Sequence, residues 1–105
     1  LLKRAVAIVE KNMDNIEFST DEFAREMNMS RSNLHLKLKA ITGESTIDFI
    51  RKIRFNEAAK LLKDGRYTVA EVSTMVGFNT PSYFATSFKK YFGCLPTEYI
   101  KKSKG

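Results

Sequence analysis

The 105-residue chain has one cysteine, one histidine and no apolar run approaching the roughly 18 to 20 residues needed to cross a bilayer. A lone Cys94 cannot close an intramolecular disulfide, which fits a reducing compartment, and it excludes a Cys-rich zinc site. Its plain reading is a small packing residue. With a single histidine, no zinc-type spacing, no glycine-rich phosphate loop and no carboxylate pair that a helical layout would bring together, catalysis has little to work with. No enzyme, metal or cofactor is expected. The opening Leu1-Leu2-Lys3-Arg4 leads an amphipathic stretch with no small-residue cleavage site behind it, so the fragment is expected to be soluble, cytoplasmic and free of membrane contact. Because it opens on Leu rather than Met, sensing parts of a longer chain are expected upstream, where an anchor could also lie.

Acidic residues are missing in a pattern. Residues 1 to 44 carry seven bases and seven acids, whereas 45 to 105 carry eleven and five, within a net charge of +6. Met27 to Gly43 and Val72 to Thr97 contain no Asp or Glu at all. A surface that approaches phosphates excludes acids in this way, so the basic balance points to an anionic partner.

What is present is helical, with no competing strand pattern. Leu2, Val6, Val9 and Met13 recur at helical spacing and predict an amphipathic support helix over residues 1 to about 13. Ser19 with Glu22 forms a capping-box signature before Phe23, Ala24 and Met27. After a polar break at Asn28, Ser30 caps a helix through Leu34, Leu38 and Ile41 that stops near Gly43. The longest helix starts at Ser45, offers Ile50, Ile53, Ala58, Leu61 and Leu62 to the core, and ends at Asp64-Gly65. Thr68 with Glu71 repeats the capping box for a helix ending at Gly77, and Thr80-Pro81 opens another through Tyr83, Phe84, Phe88 and Tyr91 to Gly93. Pro96 starts a last short helix.

The chain also repeats itself. At an offset of 50, Leu34, Leu38, Lys39 and Gly43 match Phe84, Phe88, Lys89 and Gly93; upstream the offset is 49, pairing Phe23 with Val72 and Met27 with Val76. The second turn, Gly77-Phe78-Asn79-Thr80, is one residue longer than Asn28-Met29-Ser30. Two units are too few for a solenoid, which needs about three to bury a continuous core. A helix, a tight turn and a polar-capped second helix, with a small residue (Ala24, Ser73) for close crossing, is instead helix-turn-helix geometry. Both acid-free stretches fall on the second helix of a unit and its flanks. The predicted fold is all-α, about seven helices, divided into a first unit with its support helix (1–43), a linker helix (44–65) and a second unit (66–105).

The residues resemble the AraC/XylS-type DNA-binding domain over nearly the whole chain. Gly77-Phe78-Asn79-Thr80-Pro81-Ser82-Tyr83-Phe84, then Phe88-Lys89-Lys90, Gly93, Pro96 and Tyr99, is similar to that family's signature; the first half matches at Ala24, Ser30, Leu34, Lys39, Thr42-Gly43, Arg54, Ala58 and Leu61-Leu62. Ser30-Arg31-Ser32-Asn33-Leu34-His35 and the Ser82 to Phe88 stretch further resemble the output domain of Bacteroidetes hybrid two-component regulators. The resemblance implies that the second helix of each unit enters a major groove, the two reaching successive grooves on one face of the duplex. The partners it implies are double-stranded DNA, the transcription machinery and upstream sensor or receiver domains.

If Leu34, Leu38 and Ile41 face inward, the opposite side of that helix shows Ser32, His35, Leu36 and Lys39. His35 can donate to a guanine edge or accept from a base amino group, and Leu36 can pack on a thymine methyl. The plainer alternative for His35 is a solvated surface histidine, and related domains often carry Arg where Leu36 stands. On the second recognition helix the matching face is Ser82, Ala85, Thr86 and Lys89, with no Arg, Asn or Gln for bidentate readout. Phosphate contacts fall to Arg31, Lys37, Lys39, Lys89 and Lys90, with backbone N–H groups at the helix starts near Ser30 and Thr80. Lys101, Lys102 and Lys104 are also readable as a soluble tail. Arg54 reads as structural, paired with an acid, and Tyr83, Tyr91, Phe92 and Tyr99 as core aromatics. The rival is a helical protein-interaction module, disfavoured because the faces opposite the cores are mainly polar or basic. RNA is disfavoured because an A-form major groove excludes a helix. Alanine at Ser82 and Thr86 is expected to lower affinity alike on matched and mutated half-sites in binding titrations; strong loss of discrimination would refute so mild a role for the second unit.

Overall fold

The computed structural model describes residues 1–104, and among them there are seven helices and no strand. They are α1 (Leu2–Lys11), α2 (Thr20–Glu26), α3 (Arg31–Thr42), α4 (Thr46–Asp64), α5 (Val69–Met75), α6 (Pro81–Phe92) and α7 (Pro96–Lys104). Hydroxyl caps start most of them: Ser19, Ser30, Ser45, Thr68 and Thr80 each accept the backbone N–H three residues on. Each satisfies a donor that the first helical turn would leave open. Among the described residues, Thr68–Glu71 alone closes the reciprocal capping box. The expected second half of the Ser19 box does not form, because the Glu22 carboxylate turns to Arg25 at 2.7 Å instead.

Two cores share one helix. Phe49 and Ile50, from the first half of α4, join Ala5, Ile8, Val9, Phe18, Phe23, Met27, Leu34 and Leu38. Phe55, Ala58 and Leu62, from its second half, join Val72, Val76, Phe84 and Phe88. The second core is the more aromatic: Phe55 lies within 6.5 Å, centroid to centroid, of Phe78, Phe84, Phe88, Tyr91 and Phe92.

The two helix-turn-helix turns close by the same device. Met29 N–H donates to Ala24 O, and Phe78 N–H to Ser73 O, each at 2.9 Å. Between these partners Asn28 (φ 57°) and Gly77 (φ 79°) take the left-handed conformation, as in a Schellman stop. Ala24 and Ser73 are both buried at the crossing.

Some inward assignments fail. Ile41 is 52% exposed, because α3 is close to its glycine stop and the first core ends at Leu38. Leu2 is exposed at the start of α1, where Ala5, Ile8 and Val9 form the buried stripe. Tyr83 and Tyr91 are exposed, while Phe92 and Tyr99 pack at the edge of the second core.

Gly77 and Gly43 separate two causes of glycine dependence. A Cβ on Gly77 would meet Met13 O at 2.6 Å and Arg54 Nη1 at 2.9 Å, whereas one on Gly43 meets nothing within 4 Å. Gly43→Ala is therefore expected to cost only the left-handed backbone term, about 1 kcal/mol, and Gly77→Ala at least about twice that in urea unfolding. Equal losses would show that the close approach at Gly77 carries no weight.

Candidate nucleic-acid interface

The second helix of each unit starts without an acid. Acids occupy the first turns of α2, α4, α5 and α7, whereas α3 and α6, like the support helix α1, have none. The positive end of each macrodipole is thus left for an outside anion. The Ser30 hydroxyl accepts from Asn33 N–H at 3.2 Å and Thr80 from Tyr83 N–H at 3.1 Å. Pro81 has no N–H, so the α6 terminus offers one donor fewer.

Ser32, His35 and Leu36 come together with Arg31 along a groove whose other wall is Thr20, Ser45, Thr46 and Ile47. Leu36, 64% exposed, is the most prominent apolar side chain there. Lys39, four residues after His35 and three after Leu36, is exposed on the same face of the helix, whereas Lys37 is exposed off it. On α6, Ser82 and Thr86 are exposed, but Ala85 is half-buried against the body, a weaker position for base contact than the sequence implied. The Thr86 hydroxyl donates to Ser82 O at 3.0 Å, which leaves it an acceptor toward anything outside. Tyr83, read from sequence as core, is 57% exposed with its ring 5.5 Å from Phe78, and so adds an aromatic group and a phenol to this surface.

A third participant comes from α4. An open groove of about 660 Å³ runs between the units, lined by Phe18, Thr20, Ile47, Arg51, Arg54, Phe78 and Tyr83 among others. It shares Thr20 and Ile47 with the α3 groove, and it shares Arg51 and Tyr83 with a further groove that reaches Ser87 and Lys90 on α6. One continuous surface therefore connects α3 and α6 across Ile47 and Arg51 of α4. Sequence reading missed these two because they belong to the linker; the available signal was their spacing of four, out of phase with core Phe49 and Ile50. Exposed Ile16, Ile47 and Tyr83 on the rim make the face less uniformly polar than expected.

The charges divide by partner. Lys37, Lys39, Lys89 and Lys90 make no ion pair among the described residues, while Arg31 meets Asp21 at 3.2 Å across α2 and α3. That pair is exposed on both sides and worth little, so a phosphate can replace the carboxylate. The other acids of α2 are occupied too: Glu22 by Arg25, Glu26 by Lys11 and Asn12. Glu44 and Asp48 stand beside α6 but lie near Lys52 (3.7 Å) and Arg51 (3.9 Å).

Among the described residues Arg54 pairs with no acid, contrary to the sequence expectation. Its Nη2 donates to Asn15 O at 2.9 Å and Nη1 to Gly77 O at 3.3 Å, while Nε is buried without a partner. Burial lowers its pKa from the ordinary guanidinium value, which still leaves the group charged at neutral pH.

Comparison with known proteins agrees with this architecture. The family described as "Helix-turn-helix domain" matches residues 23–102. Histidine kinase P4 of Formosa agariphila is 40% identical over 99 residues, covering 94% of this chain and 7% of that protein. The C-terminal domain of AraT, a response regulator from Geobacillus stearothermophilus, superposes with a TM-score of 0.88 at 31% identity, over 96% of this chain and 84% of that one. The DNA-binding domain of the global transcriptional factor AdpA, solved in complex with a target DNA, gives a TM-score of 0.86 at 25% identity, over 96% and 90% of the two chains. Spanning so small a part of its kinase relative, and carrying two helix-turn-helix units on one shared helix, the chain belongs to the AraC-type helix-turn-helix family.

Proposed function

We propose that this chain is the sequence-specific DNA-binding output domain of a transcription regulator, with α3 and α6 inserted into successive major grooves of one duplex. The observation that carries this reading is the continuous face joining two acid-free helix starts. The AdpA domain, of the same fold, is solved on its target DNA, which supports it. The nineteen residues of α4 span about 28 Å at 1.5 Å each, and the molecule is 43 Å in its longest dimension. Both lengths are compatible with reading elements roughly 34 Å apart, one turn of DNA.

Within that reading Ser32, His35 and Leu36 meet base edges from the first unit, and Ser82 and Thr86 from the second, with Ala85 at the margin. Arg31, Lys37, Lys39, Lys89 and Lys90 meet phosphates beside the termini at Ser30 and Thr80. Units 1–43 and 66–105 act as the two reading heads and 44–65 as their link. The kinase and response-regulator relatives favour a two-component setting on the cytoplasmic side of the cell, in which upstream sensor or receiver domains govern access to DNA and the transcription machinery responds. The domain itself catalyses nothing in this scheme.

Selection from random duplex DNA followed by salt titration tests the proposal. Five phosphate-binding side chains imply a log–log salt slope of about −4.5, and Lys89→Ala should reduce its magnitude by about one without altering the selected sequence. Leu36→Ala should instead relax preference at a single base step. Absence of duplex affinity would overturn the proposal in favour of a protein-interaction module, for which the exposed Ile16, Ile47 and Tyr83 are the supporting observation.

A further inference from the structure

Arg54 is the one side chain whose polar contacts tie the two units together. Among the described residues, every other long-range side-chain hydrogen bond or ion pair stays within a unit or its adjoining helix. Its two terminal guanidinium nitrogens serve different units: Nη2 donates to the carbonyl of Asn15, ahead of α2, and Nη1 to that of Gly77, in the turn before α6. A planar fork with donors at fixed angles sets the separation of two acceptors in a way a flexible ammonium does not.

The arrangement is costly on its own terms. A charged group is held by neutral carbonyls and forms no ion pair among the described residues, and Nε has no partner. Leaving a buried donor unsatisfied opposes folding. Gly77 is fitted to the same contact, since any Cβ there would press on Arg54 Nη1 and Met13 O. The bare glycine lets the segment after α1 and the turn before α6 approach each other beside the guanidinium.

The shared helix alone does not fix the geometry of reading. The first core grips the first half of α4 and the second core grips the other half, and Met13 of the first unit packs against the second core, so the apolar link between the units is narrow and lies to one side of α4. Gly77 lies three residues before the cap of α6 and Asn15 four before the cap of α2. A link between these points restrains rocking of one unit against the other where it would most displace the recognition helices.

We propose that Arg54, clasped between the Asn15 and Gly77 carbonyls, fixes the relative placement of α3 and α6 and thereby the half-site spacing the chain accepts. This rests on the two-groove reading above, and two readouts keep the failures distinct. In the free protein, spin labels at Lys37→Cys and Lys89→Cys, with Cys94→Ala to avoid a third label, should give one narrow distance distribution. Arg54→Lys, which keeps the charge and the aliphatic stem but not the fork, should broaden it. In selection from random duplex DNA, the chain with Arg54 should recover two half-motifs at one spacing near 10 to 10.5 base pairs. Arg54→Lys should recover the same half-motifs over several spacings, with affinity for a single half-motif changed less than about twofold.

Thermal melts identify folded variants. Should Arg54→Lys not fold, Gly77→Ala displaces the clasp with Arg54 in place and is read by the same two measurements. A folded variant that keeps both the narrow distribution and the single spacing, even with a lowered melting temperature, overturns the proposal and leaves Arg54 merely structural. If no duplex is recovered by the chain with Arg54, the DNA-binding reading fails, while the distance measurement still decides whether the clasp holds the units.

Discussion

Nineteen residues of α4 bury side chains in two separate cores, and the rest of the molecule depends on that sharing. A helix-turn-helix pair of some twenty residues is too small to bury enough apolar surface alone. Each unit here completes its core with about half of α4, together with α1 in the first case and α7 in the second. Because hydrogen bonds run unbroken along the helix between Ile50 and Phe55, neither half can shift lengthwise against the other. The duplication therefore produces one elongated body with two helix-turn-helix units on a shared helix.

The two heads solve the same turn with different residues for a physical reason. At the left-handed position of the first turn Asn28 is exposed, and its side chain is tolerated in that conformation. The corresponding Gly77 is buried against the Met13 carbonyl and the Arg54 guanidinium, and no Cβ fits. Backbone dihedrals alone would allow Asn in both places. The contact between units decides that one of them is glycine.

Similar constraints shape the surface. Acids concentrate on α2, where each is engaged by a neighbouring base, and are absent from the two recognition helices. The units also meet α4 differently: the groove beside α3 takes in Ser32, His35 and Leu36, whereas that beside α6 takes in Tyr83, Ser87 and Lys90. Positions equivalent by sequence offset consequently have different surroundings. The mild face expected of α6 gains Tyr83 on its inner flank and loses part of Ala85.

Local chemistry was legible in the amino-acid order by itself. Hydroxyl caps and glycine stops depend on residues within a few positions of one another, and the repeat and the acid-free windows are read along the chain without knowledge of any contact; together they define seven helices in two units. The exposed positions of α3 followed from the same periodicity, except at Ile41, where the core ends before the helix does. Only the tertiary structure decided what α4 brings to the face, which aromatics of α6 stay outside, and what Arg54 holds. Its acceptors lie 39 residues before it and 23 after it in the chain. Both are backbone carbonyls, and a carbonyl has the same chemistry at every residue, so no side-chain pattern can announce such a contact.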